Sequence, residues 1–229
     1  MIKLNLQLFG GRGTGSYSAS AQFSKGGLIG IGGSNKDLNV AGWTPDAGHK
    51  SVNGTKTLNS AEKKIQNLDH EQLVVVGKDG YVMAVVDGGE HSVGLTAKAL
   101  KEIQAGGIMT HNHPNGGTFS TTDIITAGDI GAKEIRAVSK TTGKSYSLKA
   151  GNKADGSGLS YAMRKAENSI INSANNKLDS TVNKRKYANK NTYMKAVDKV
   201  WDDTMGEWLN ANASKYGYSY SSVKTGKAN

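Results

Sequence analysis

The chain has 229 residues, 29 Lys and Arg against 19 Asp and Glu, a formal charge of +10, and no cysteine. No run of eighteen apolar residues occurs, which excludes an apolar membrane-spanning helix, and the apolar stretch Met1–Phe9 is too short, and too interrupted by Asn5 and Gln7, for a signal peptide. The absent cysteines exclude disulfide scaffolds, thiolate zinc fingers and Cys nucleophiles, so a metal must be held by His and carboxylate.

In chain order, Ile2, Leu4, Leu6 and Leu8 alternate with polar residues, the period of a half-buried strand. Such a strand either joins a partner's sheet or completes this protein's own. Residues 10–56 are rich in Gly, Ser and Asn and poor in large apolar side chains, which predicts a poorly ordered arm; Leu28, Ile29, Ile31, Leu38, Val40 and Trp43 are its docking residues. Asn59 or Ser60 caps a predicted helix to about Asn67. Glu71–Gly77 reads as a strand, 78–80 as a turn and Tyr81–Val86 as the returning strand. Thr96 caps a second helix that Gly106-Gly107 stops. Gly107–His113 is a strand ended by Pro114, Ser120 opens a helix to about Ala127, and Glu134–Ser139 with Lys144–Lys149 forms a hairpin about Thr142-Gly143.

Between 159 and 212, Leu159, Met163, Ala166, Ile170, Ala174 and Leu178, then Met194, Val197, Trp201 and Trp208, recur at helical spacing. They predict two amphipathic helices joined by the basic segment 183–187, and Tyr216–Tyr220 reads as a short strand or tail. This divides the chain into an arm over 1–57, an α+β (α/β-like) unit over 58–150 and a basic helical extension over 151–229. The charge is +4 over 1–60, zero over 61–150 and +6 beyond, so the basic excess lies outside the unit with the clearest periodicity.

That unit carries one chemical constellation. Residues two apart on a strand face the same way, so His111 and His113 present two imidazoles to one point. Pro114 ends the strand, the Gly116-Gly117 pair turns the chain, and Asp123, in the first turn of the next helix, is placed to supply a third ligand. His, His and Asp with one open position describe a catalytic zinc site. Such a site also needs a base, normally a Glu; Glu62, Glu71, Glu90 and Glu102 all lie upstream. Ser120 and Asp123 equally fit a helix capping box, a reading compatible with ligation. His49, His70 and His91 have no partner pattern and are read as surface residues, and Asn112 faces away from the metal side. Val74 stands where a His-Glu-x-x-His motif starting at His70 would need its second His.

His111-Asn112-His113-Pro114 followed by Ser120-x-x-Asp123 resembles the signature of the JAMM (MPN-type) zinc metalloproteases, and the stretch 110–116 is most similar to their RadC-like branch. The resemblance covers about 58–150. It implies a mixed sheet flanked by helices, zinc on His111, His113 and Asp123, and Glu71, at the start of the first core strand, as general base. It further implies that Ser120 donates to the tetrahedral oxyanion, and that the reaction is hydrolysis of a peptide or isopeptide bond by a metal-activated water. Six residues separate His113 from Ser120 where the family usually has seven, which bears on the placement of Ser120 and Asp123.

The opening Met-Ile-Lys-Leu-Asn-Leu-Gln-Leu-Phe-Gly-Gly-Arg-Gly resembles the start of many head and structural proteins of phages of Gram-positive bacteria. It implies a phage or prophage setting, in the bacterial cytoplasm or associated with the virion, a protein substrate, and phage structural proteins as partners of the arm or the C-terminal helices. Two other readings compete. One is an assembly protein with a degenerate JAMM-like site. The other is a RadC-like nucleic-acid-associated protein using Lys184-Arg185-Lys186 on phosphates, for which a solvated surface is the simpler explanation.

Overall fold

A computed structural model describes residues 23–24, 27–28, 36–38, 40, 55–89, 93–114, 117–181 and 190–225. The predicted strand over residues 2–8 and most of the arm lie outside them. From the arm, β1 (Phe23–Ser24) pairs with β2 (Gly27–Leu28), and β3 (Lys36–Asp37) joins the main sheet. Leu38 and Val40 follow β3 and pack on the apolar cluster beneath it.

The remaining elements are α1 (Thr55–Ile65), β4 (Gln72–Val76), β5 (Val82–Asp87), α2 (Ala97–Gln104), β6 (Ile108–His113), α3 (Thr121–Asp129), β7 (Glu134–Ser139), β8 (Lys144–Ala150), α4 (Gly156–Thr181), α5 (Lys190–Asn212) and β9 (Tyr218–Lys224). The fold is α+β: a mixed sheet of order β5-β4-β6-β7-β8-β9, with the two-residue β3 outside β5. Only the β6–β7 pair is parallel among the described strands.

The sequence explains the layering. In β4, Val74 and Val76 turn to one face, and Leu73 and Val75 to the other. All four are buried, so this central strand is covered on both sides. On the first face Leu58, Ala61 and Ile65 of α1 pack against Val74, Val76, Val85 and Val138. On the second face α2, α3, α4 and α5 share one continuous core with Leu73, Val75, Met109, Ile135, Ala137 and Leu148. Beneath α1 lies a buried polar network: Arg136 bonds Glu62 and Glu134, and Ser145 and Ser147 donate to those same carboxylates.

Most element boundaries lie within a residue of the sequence expectation, and α1, α3 and the last strand depart further. Helix α1 begins at Thr55, so Asn59 and Ser60 sit inside it rather than capping it. The apolar face already starts at Leu58, 5% exposed, which needs a turn of helix before it. Helix α3 runs two residues past Ala127, to Asp129. Tyr218–Lys224 is a full strand, paired with β8 along its length, so the last part of the chain belongs to the sheet. No helix among the described residues is long and apolar enough to cross a membrane.

Candidate metal centre

Strand β6 lies between β4 and β7, in register Leu73↔His111 and His113↔Ser139. Each residue from Met109 to His113 is buried. The pleat sends both imidazoles to one side, and their Nε2 atoms are 2.9 Å apart. The backbone of His111 is paired with both β4 and β7, and that of His113 with β7.

The third candidate ligand comes from the start of α3. Ser120 is the N-cap, with φ −77° and ψ 164°, and forms a reciprocal capping box with Asp123. Asp123 N donates to Ser120 Oγ at 3.2 Å, while Ser120 N and Oγ donate to Asp123 Oδ2 at 2.7 and 2.8 Å. The cap aims the carboxylate at the histidines: Asp123 Oδ1 is 3.4 Å from His111 Nε2, and Oδ2 is 3.5 Å from His113 Nε2. The short connection from His113 to Ser120 therefore delivers Asp123 to both rings, with Gly117 at φ 96° taking the left-handed turn.

One ligand atom from each of His111, His113 and Asp123 lies within 4.8 Å of the others, the one such group among the described residues. Bonds of about 2.0–2.1 Å in a tetrahedron place ligand atoms about 3.3 Å apart, so the three need only small adjustments to share one ion. Two imidazole nitrogens and a carboxylate oxygen suit zinc. Burial pushes the Asp123 carboxyl up, but the charge of His111 and hydrogen bonds from His111 and His113 outweigh it and hold the group well below its usual range. Asp123 is thus an anion in the metal-free site.

Glu71 precedes β4 and is 4% exposed. Its Oε1 is buried with no hydrogen-bond partner among the described residues. Burial pushes its carboxyl up to about 7; the negative charge of Asp123 adds to this, and His113 and the Val93 N–H oppose it. The group therefore feels both metal-side residues while one oxygen stays unsatisfied. Of the other upstream acids, Glu62 is 0% exposed on the α1 side and bound to Arg136, and Glu102 sits on α2. Glu90, His49 and His91 lie outside the described residues. His70 is half-buried rather than a free surface residue, with its ring between Asp69 and Asp87.

Two site-side residues escape a reading of local motifs. Asp198 and Asp202, one turn apart on α5, lie close enough for His113 to pull both carboxyls down. Burial dominates, raising Asp198 to about 7 with a further push from Asp202, and Asp202 to about 6 against hydrogen bonds from Tyr146 and the Thr118 N–H. Tyr146 in turn is raised by burial and by the Asp202 charge beside its hydroxyl. The sequence signal for them is two carboxylates set among the apolar Val197, Trp201 and Met205.

A scan against protein-family models, a search of curated proteins and a search of solved structures each found no match.

Proposed function

We propose that this chain is a JAMM-like zinc metallopeptidase, hydrolysing a peptide or isopeptide bond. One observation carries the reading: His111, His113 and Asp123 converge beside a buried Glu71, one of whose carboxylate oxygens has no partner among the described residues. A buried carboxylate oxygen left unpaired costs free energy, and such a group in a folded chain points to a role. A zinc ion held by the three ligands would supply Lewis-acid polarisation of the carbonyl and ease ionisation of the attacking water.

The chain's own groups do the rest. Glu71, raised to about 7, is matched to neutral pH as a proton acceptor. It takes the proton of the attacking water as the C–O bond forms. It returns that proton to the amine nitrogen as the C–N bond breaks, which balances the hydrolysis without a covalent enzyme intermediate. Asp123 stays anionic and fixed by its cap. Ser120 first orients Asp123; for its hydroxyl to serve the oxyanion, its hydrogen must leave Asp123 Oδ2 as substrate charge develops. The phage or prophage setting, whether cytoplasmic or virion-associated, rests on the opening residues alone; a phage or host protein is the substrate it suggests.

The test is zinc analysis of the purified chain together with a peptide-library digest read by mass spectrometry. Wild type carries one zinc and generates new amine termini, and Glu71→Gln keeps the zinc but cleaves about 10²–10⁴-fold more slowly. Absence of zinc, or cleavage by Glu71→Gln at the wild-type rate, refutes the reading.

A further inference from the structure

We infer that Asn112 is a positioning residue that sets the Glu71 carboxylate in place against the two imidazoles; this rests on the reading of Glu71 as the base. Asn112 stands between His111 and His113, is 0% exposed, and points away from the metal side. It serves the site by what it does to the neighbouring strand.

The β4–β6 ladder pairs Val76 with Ile108, Val75 with Met109, Val74 with Thr110 and Leu73 with His111, and there it stops. The next pair would be Gln72 with Asn112. At that point the side chain takes over from the backbone. Gln72 N donates to Asn112 Oδ1 at 2.7 Å, and Asn112 Nδ2 donates to His70 O at 2.9 Å. The donor and acceptor demands of the two backbone groups fix which end of the amide faces which.

One planar amide therefore grips the chain on both sides of Glu71. The backbone of Glu71 itself is held from the opposite side: its N–H donates to Gly89 O at 2.8 Å, and its C=O accepts from Gly88 N at 2.9 Å. With the main chain fixed across residues 70–72, only the Glu71 side-chain torsions remain free. The strand that carries both metal-side histidines thus also carries the clamp for the base, and ligands and base move together. An error of about 1 Å in a reacting group costs about 100-fold in rate, which is the scale on which such a clamp acts.

Side-chain chemistry predicts which replacements fail. Leu matches the shape of Asn but removes both hydrogen bonds. Asp keeps the acceptor for Gln72 N but turns a carboxylate oxygen toward His70 O, so one side of the clamp opens. A merely structural Asn112 would lower stability and take zinc affinity and cleavage down together. A positioning Asn112 lowers kcat and leaves zinc affinity and KM where they were.

The experiment compares wild type, Asn112→Leu, Asn112→Asp and Glu71→Gln as full-length protein. Amide exchange of the metal-free forms is read by NMR, zinc affinity by competition with a chelator, and cleavage by kcat and KM. Exchange of the Gln72 amide should accelerate at least about 10-fold in Asn112→Leu and stay near wild type in Asn112→Asp, with the Val74 and Thr110 amides unchanged in both. Both Asn112 variants should lose about 10–100-fold in kcat, with KM and zinc affinity within about threefold of wild type. Wild-type kcat in either Asn112 variant, when Glu71→Gln is inactive, overturns this inference alone. A parallel fall in zinc affinity overturns it too, by making Asn112 a support of the metal strand. Wild-type cleavage by Glu71→Gln removes the base itself, and the inference goes with it. Because Asp preserves shape and one bond, it keeps the test decisive where Leu disturbs folding.

Discussion

Gly128 of α3 and Gly156 of α4 face each other so closely that a Cβ built on either would lie 2.4 Å from the other's carbonyl oxygen. Around that crossing the helices are tied from end to end. Thr121 donates to Glu167, Ser160 to Asp129, and Arg164 pairs with Asp129. The start of α3 meets the later part of α4, so the two run antiparallel, and the helix that presents Asp123 is braced by the one that follows the hairpin. Gly128→Ala must push the backbones apart, because the atom it meets is main chain. The expected loss is about 1–3 kcal/mol in urea unfolding, with weaker zinc binding as α3 shifts. An unchanged unfolding midpoint would show that the helices can separate freely there.

Much of this organisation is readable in the sequence because it is local. The six residues of β6 pleat as any strand does, so the convergence of His111 and His113 follows from spacing two. Ser120 and Asp123 declare their cap at spacing three. The turn residues Gly80, Gly106 and Gly143 mark the ends of their elements, and each has positive φ. What stays hidden depends on pairing across long separations. The reach of Asn112 to the start of β4 spans 40 residues and comes from sheet register, which no pattern in either strand states. The bond between Tyr146 and Asp202 spans 56 residues, and no pattern in either element states that the two meet. The same holds for β9, whose Tyr-Ser alternation is a strand only once β8 offers it an edge.

The network under α1 makes a stability prediction. Arg136 is 5% exposed, and the carboxylates it joins, Glu62 and Glu134, are 0% and 7% exposed. Removing the cation leaves two buried carboxylates, Glu62 of α1 and Glu134 of β7, without their shared counter-charge. Arg136→Leu should destabilise by about 3–5 kcal/mol, whereas replacing the whole set with Glu62→Gln, Glu134→Gln and Arg136→Met should recover much of the loss. Equilibrium urea unfolding of the two variants decides it; equal losses would mean that packing, and not the stranded charge, carries the cost.

Asp198 gives a pH prediction for the metal-free protein. Its folded carboxyl titrates at about 7, raised first by burial and then by Asp202, while the unfolded chain titrates near the ordinary aspartate value of 3.8. Between those values the folded chain holds a proton that the unfolded chain has lost, so stability falls as pH rises through this window. Asn cannot ionise and keeps an oxygen for the Thr141 hydroxyl. Asp198→Asn should therefore come close to wild type near pH 4 and exceed it by up to about 4 kcal/mol at pH 8. A constant difference across pH would show that Asp198 does not carry this titration.

Metal loading gives the most direct prediction. An ion that binds the folded chain and not the unfolded one stabilises by mass action, about 4 kcal/mol at a thousandfold excess over its dissociation constant. For a chain of this length that is about 8–16 °C in Tm. Zinc should give this rise in wild type and lose it on chelation. Asp123→Ala should lose most of it as well, since it takes away the carboxylate that lies 3.4 and 3.5 Å from the two histidines. Glu71→Gln should keep the full rise, because Glu71 lies near the centre without being one of the three converging groups. A matching loss in Glu71→Gln would make Glu71 a ligand, and with four protein ligands closing the site there would be no open position for a water to attack from.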